Sequence, residues 1–312
     1  MESMRDAWGR LLVELGGQRD DFVVLDADVA GGTGTAPFRA AFPDRFIQCG
    51  IAEQNMFTVA AGLAASGIIP VTTCYAFAAL RAAEQVRNTI AFPAFPVKMA
   101  VSHLGLDVGP DGVTHQSVED IAVFRAMPGL TLLAPADPVE LAAMLPVMLD
   151  APGPVYLRTG RSPIETVFPP DTVFIPGKAP LLRQGDDAAI LAVGVMVKRA
   201  LDAASLLEPE GLRCRVLDMS WLKPLDAEAV TDAARECGAL VSCEDHNRLG
   251  GLGGAVAEVL AARCPAPLEM VALDDCYGES GEPDDLAAKY GLTASDIAAA
   301  VRRAVARKGG GR

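Results

Sequence analysis

The sequence predicts an α/β protein of two domains, and three observations carry that prediction. In residues 1–158, short apolar runs alternate with helical stretches, the texture of a parallel sheet covered on both faces. Residues 160–180 (GRSPIETVFPPDTVFIPGKAP) hold five prolines, which break helix and ladder pairing alike and read as a linker. A second alternating block fills the rest of the chain. The implied division is a first domain over 1–165, a proline-rich linker over 166–180 and a second domain over 181–312.

Taken in order, the first block opens with a helix near 4–16 and a strand at 22–27 (FVVLDA). Further strands are expected at 45–49 (RFIQC), 69–75 (IPVTTCY), 97–102 (VKMAVS), 130–134 (LTLLA) and 154–158 (PVYLR). Helices near 53–66, 77–91, 117–126 and 137–149 connect them, as right-handed crossovers. In the second block, strands fall at 188–195 (AAILAVGV), 213–218 (RCRVLD), 239–243 (ALVSC) and 268–273 (LEMVAL). Its helices lie near 197–207, 226–236, 254–263 and 294–307, and the last residues, KGGGR at 308–312, are expected to fray.

Composition bounds the function. The 312 residues are 51% hydrophobic and 21% charged, which is globular composition with ample core. A net charge of −13 argues against nucleic acid or an anionic membrane as the main partner, since both need basic surface. A small anion held by a few placed cations remains compatible with it. Glu2, Arg5, Asp6 and Arg10 interrupt the first residues, so no signal peptide is expected there. No uncharged apolar run reaches the roughly 18–20 residues that span a bilayer. Seven scattered cysteines without a CxxC pair read as reduced core thiols, pointing to the cytoplasm.

Among the motifs, GGLGG at 250–254 is tempting but incomplete, because Val256 stands where a dinucleotide-binding fingerprint needs its third glycine. A tight strand–helix turn explains it better. The segment GIAEQNMFTVAAGLAASG at 50–67 places Glu53 at the start of an Ala- and Gly-rich helix suited to close packing. The segment HLGLDVGPDGVTHQSVED at 103–120 holds two of the three histidines, His103 and His115, with Asp107 and Asp111 between them. Its glycines and Pro110 predict a loop leaving strand 97–102, and such loops line the ligand crevice of a parallel sheet. No HxxxH or HExxH spacing occurs, so no metal ligands are expected in this chain.

Together these segments resemble the transketolases, the thiamine-diphosphate enzymes. GIAEQNM at 50–56 looks like the family's glutamate motif, DGVTHQ at 111–116 looks like its DGPTHQ, and EDHNRLGGLGGAV at 244–256 resembles a turn of its C-terminal domain. The resemblance covers essentially the whole chain. It implies a pyrimidine-binding domain followed by a transketolase C-terminal domain. The GDG…N motif that holds diphosphate and Mg²⁺ (or Ca²⁺) is not found. The resemblance is therefore to the C-terminal subunit of a split transketolase, with a separate N-terminal subunit supplying that motif and an α₂β₂ assembly.

By that resemblance, Glu53 is the catalytic carboxyl, whose hydrogen bond to N1′ of the aminopyrimidine favours the imino tautomer. Phe77 stacks on the pyrimidine with Tyr75 beside it, and Asp28 either neighbours the cofactor or merely caps strand 22–27. His115 contacts the transferred two-carbon unit, Asp111 a sugar hydroxyl, and His103 lies nearer the distal phosphate. Arg158 is the matching phosphate-binding arginine and Arg161 the runner-up, with plain surface charge as the alternative for both. Arg5 matches another phosphate contact only loosely. Competing readings are the β subunit of a 2-oxoacid dehydrogenase E1, a deoxyxylulose-phosphate-synthase-like enzyme, and a dinucleotide-binding or scaffolding protein.

Overall fold

The computed structural model describes residues 1–309. Two sheets organise them. The larger has seven strands in the order Trp221–Lys223, Thr131–Leu133, Val155–Thr159, Lys98–Ser102, Ile69–Tyr75, Phe22–Asp26 and Phe46–Gln48. All neighbours in it run parallel except the edge strand Trp221–Lys223, which is antiparallel to Thr131–Leu133. The second sheet has five strands, in the order Leu268–Leu273, Leu240–Asn247, Ala188–Ala192, Cys214–Asp218 and Leu181–Arg183. It is parallel except for its edge strand Leu181–Arg183.

The central strands are buried on both faces, as continuous apolar runs demand: all five residues of Lys98–Ser102, Val155–Thr159 and Ala188–Ala192 are buried. Even the Lys98 ammonium is inside, where it donates to the carbonyls of Ala151 and, at 2.9 Å, Gly153. Burial lowers its pKa to about 8. One apolar cluster runs from Leu25, Phe57 and Met99 through Leu191 and Leu240, so the two sheets share packed core. No helix among the described residues is long and apolar enough to cross a membrane.

Several sequence expectations need correction. The helix expected over 77–91 is instead Ala76–Arg81, a short turn Ala83–Gln85 and a π-helical turn Val86–Ala91. The helix expected over 117–126 is only Asp120–Arg125, because 112–119 stays in the loop. Trp221–Lys223 was not anticipated. It leaves the second block to close the edge of the first sheet, so the chain's linker does not separate the sheets cleanly. The linker itself is not free. Asp137 caps helix Pro138–Asp150 with one carboxylate oxygen, and its other oxygen accepts the amides of Val167 and Phe168 at 2.8 and 2.9 Å. Phe168 is 4% exposed and meets Phe174 edge-on. Of the residues 308–312 expected to fray, 310–312 lie outside the described residues; Lys308 is helical and donates to the carbonyl of Cys237.

Candidate active site

The C-terminal ends of four adjacent parallel strands, Phe22–Asp26, Ile69–Tyr75, Lys98–Ser102 and Val155–Thr159, lie along one edge of the large sheet. The residues that follow them supply the site, as expected for an open parallel sheet. Glu53 begins helix Glu53–Ala65 and is 8% exposed. One of its carboxyl oxygens, Oε2, is buried and has no hydrogen-bond partner. Leaving such an oxygen unpaired costs about 1–3 kcal/mol, so it is a group awaiting a donor. It borders a cleft of ≈ 280 Å³ together with Val29, Ile51, Cys74, Tyr75 and Phe77. Burial first, and the nearby Glu53 charge second, push the Cys74 thiol up and keep it protonated.

An aromatic wall stands beside this carboxyl. Strand Ile69–Tyr75 ends at Tyr75 and a helical turn starts at Ala76, so Tyr75 and Phe77 meet across that turn and not along one strand face. Their ring centroids are 5.9 Å apart. His103 lies 4.0 Å from Tyr75, and His115 lies 4.9 Å from Phe77 and 6.0 Å from Tyr75. The Tyr75 hydroxyl reaches the glycine turn after strand Phe22–Asp26, where a Cβ on Gly32 would sit 2.0 Å from it. Four predicted residues, Tyr75, Phe77, His103 and His115, thus form one continuous wall.

His103 directly follows strand Lys98–Ser102 and adopts φ 63, a left-handed conformation that non-glycine residues rarely hold outside functional sites. Its Nδ1 is 2.9 Å from the Ser102 hydroxyl, and its Nε2 faces the Asp111 carboxylate at 3.8 Å. Burial, reinforced by the Arg161 charge, lowers its pKa from 6.5 to about 4. His246 in the second domain is also lowered to about 4, again mainly by burial. Both imidazoles are therefore neutral near pH 7. A lowered basic group favours the fold above pH 6.5, and that contribution is lost as pH falls toward 4. The imidazole NMR resonances of His103 and His246 are expected to stay constant between about pH 8 and about 5.5. An inflection near 6.5 in either would overturn the assignment.

Asp111 is exposed at the mouth, 3.5 Å from the Arg161 guanidinium. Arg161 is itself fixed: its amide donates to the Asp107 carboxylate at 2.9 Å, and its guanidinium donates to the Val108 carbonyl. Arg158 lies inside the fold, not at the mouth. It is 5% exposed, and one edge of its guanidinium, Nε and Nη2, donates to the two Asp120 carboxylate oxygens at 2.8 and 3.0 Å. Asp120 is fully buried and also accepts from the Tyr156 hydroxyl at 3.1 Å. Arg158 is thus a core ion pair, and the runner-up Arg161 is the cation that reaches the mouth. Arg5 lies close by, its amide donating to the Gly160 carbonyl at 3.3 Å; it is half-buried, and its Nε, 3.7 Å from the Asp6 carboxylate, has no hydrogen-bond partner.

Asp28 is exposed at φ 67, and its amide donates to Gln48 Oε1 at 2.9 Å. The sequence reading overlooked Asp26, two residues earlier. Asp26 is fully buried, accepts from Gln48 Nε2 at 2.9 Å on one oxygen, and leaves the other without a partner. Burial raises its pKa. An acidic residue ending a continuous apolar strand was the available signal. Gln48 also accepts the Gly50 amide at 2.9 Å, which ties the Asp28 turn to the segment leading into Glu53.

An unpaired buried carboxyl thus stands beside an aromatic wall at the C-terminal edge of a parallel sheet. Residues 1–166 match the transketolase pyrimidine binding domain and residues 177–297 the transketolase C-terminal domain. The chain belongs to the transketolase family. It is 42% identical over 306 residues to the 6-deoxy-6-sulfo-D-fructose transketolase subunit of Clostridium sp. (strain MSTE9), covering 98% of this chain and 95% of that one. A structure described as a split-gene transketolase, an inactive β4 tetramer, superposes with a TM-score of 0.92 at 46% identity, covering 99% of this chain and 100% of that one. The 1-deoxy-D-xylulose-5-phosphate synthase of Thermomicrobium roseum is 40% identical, but the match covers 94% of this chain and only 47% of that protein.

Proposed function

We propose that this protein is the pyrimidine-binding and C-terminal subunit of a two-chain transketolase, moving a glycolaldehyde unit from a ketose phosphate to an aldose phosphate. The buried, unpartnered Oε2 of Glu53 carries this reading. Thiamine diphosphate, when bound, supplies the carbon nucleophile for breaking and making the carbon–carbon bond. Glu53 would hold the proton at N1′ of the aminopyrimidine, and Phe77 with Tyr75 would pack against that ring. His103, neutral at pH 7, and His115 would orient the oxygens of the sugar. Asp111 would take a hydroxyl and Arg161, with Arg5, the phosphate. Arg158 acts only through the fold. Asp28 would face the cofactor from its strained turn.

The cofactor's diphosphate and its Mg²⁺ (or Ca²⁺) are assigned to a partner chain carrying the GDG…N motif that this sequence lacks. The docking face is helix Glu53–Ala65, whose outer side shows Asn55, Val59 and Gly62, with Ser66 just past its end and the strongly exposed Ile51 and Phe92 flanking it. Small residues there permit close helix approach, and two copies of each chain give α₂β₂. The seven cysteines are all free, which fits the cytoplasm.

The deoxyxylulose-phosphate-synthase-like reading fits less well. That enzyme type has a second histidine where Gln116 stands, and Gln116 is buried with its amide donated to the carbonyl of Glu279. The test is reconstitution. With thiamine diphosphate and Mg²⁺, the chain alone is expected to transfer no two-carbon unit, and adding the partner chain is expected to restore transfer. Full activity from the chain alone would sink the split reading.

A further inference from the structure

The second domain contributes no side chain to the wall just described, yet two of its segments, strand Leu240–Asn247 and the stretch at Gly278 and Glu279, grip the loop that carries His103, Asp111 and His115. Asp245, in strand Leu240–Asn247, is 7% exposed. Its two carboxylate oxygens accept the Leu106 amide at 2.9 Å and the Asp107 amide at 3.2 Å. The contact is close enough that a Cβ on Gly105 would lie 2.2 Å from the Asp245 carboxyl carbon. Farther along the loop, Gln116 turns away from the cleft and donates to the Glu279 carbonyl at 2.8 Å, 3% exposed. A Cβ on Gly278 would come within 2.3 Å of its Oε1. At the loop's end, the Asn247 amide donates to the Val118 carbonyl at 2.8 Å.

The loop needs such anchors. His103, Gly105, Gly109 and Gly112 all have positive φ, and glycine-rich backbone has many other conformations open to it. Asp107 turns the other way and fixes the amides of Arg161 and Ser162 at 2.9 and 3.0 Å. The amide that Asp245 holds therefore belongs to the residue that in turn sets Arg161. A carboxylate held out of water for two amides of another domain gains little as plain glue, since burying it is costly.

We infer that Asp245 is a positioning residue, through which the second domain fixes the pose of the first domain's substrate-facing loop, with Gln116 as the second anchor. The link to substrate rests on the transketolase reading; the mechanical link does not. Hydrogen exchange of the full chain separates them. In Asp245→Ala, amides of 104–118 are expected to exchange about 10- to 100-fold faster, the scale of losing hydrogen bonds to a charged acceptor. Asp245→Asn, which keeps one acceptor, should fall between. Strand Ala188–Ala192 and the thermal midpoint should be unchanged, as in the control Arg302→Ala, which removes an exposed ion pair to Glu210. In the reconstituted enzyme, KM for the sugars should rise with cofactor affinity unchanged. If Asp245→Ala does not fold, Gln116→Ala gives the same readout from the loop side. Unchanged exchange over 104–118, or acceleration spread evenly over the chain, overturns the inference. Local acceleration without any transfer activity would instead count against the transketolase reading alone.

Discussion

Glu53→Gln is expected to abolish two-carbon transfer while leaving fold and partner association intact. The substitution keeps the side chain's volume and removes its ability to hold the N1′ proton. The stability terms nearly cancel. The helix N-terminus loses a favourable charge worth about 0.3–1 kcal/mol, and an 8% exposed carboxylate with an unpartnered oxygen is relieved of its desolvation. The rate term does not cancel, because proton transfer by a positioned side chain contributes about 10²–10⁴-fold. The loss should appear in kcat, with KM for the sugars held, because the loop of His103 and His115 is untouched. Steady-state transfer assays on the reconstituted enzyme, beside a thermal melt, check both halves. Activity within a factor of about ten of the parent enzyme would remove Glu53 from its role.

What the sequence made legible depends on how locally each feature is encoded. Glu53, His103, Asp111 and His115 sit in short segments whose glycines and flanking strands announce a loop or helix start at a strand end, and the fold brings the two histidines to one aromatic wall. Arg158 and Arg161 were the harder pair. They lie three residues apart, and only the strand boundary separates them. Strand Val155–Thr159 is buried throughout, so an arginine inside it must find an anion in the core. Arg161, beyond its end, is free to turn to the mouth. The partner that decides the matter, Asp120, is remote in sequence, and nothing local to YLRTGR points to it. Trp221–Lys223 was invisible for a related reason: a three-residue edge strand has too little periodicity to register, and its pairing partner is in the other half of the chain. The grip of Asp245 on Leu106 and Asp107 likewise joins segments that only the packed domains bring together.

Arg158→Ala separates these two arginines by the kind of damage each does. A phosphate-binding arginine at the surface would, when truncated, raise KM and leave stability alone. Arg158 instead neutralises Asp120, which is fully buried and shares an oxygen with the Tyr156 hydroxyl. Removing one partner of a buried pair strands the other charge and costs about 3–5 kcal/mol. Against a total stability of about 5–15 kcal/mol, that is a large fraction, and the thermal midpoint should fall by on the order of 10 °C. The double substitution Arg158→Met with Asp120→Leu removes both charges at once and should recover much of the loss, because the desolvation penalty goes with them. Arg161→Ala should show the opposite pattern, with the midpoint nearly unchanged and KM for phosphorylated sugars raised about tenfold or more, the scale of one charge-assisted contact. Should Arg158→Ala melt like the parent chain and lose only substrate affinity, the ion pair with Asp120 would not be what holds it, and Arg158 would return to the mouth of the site.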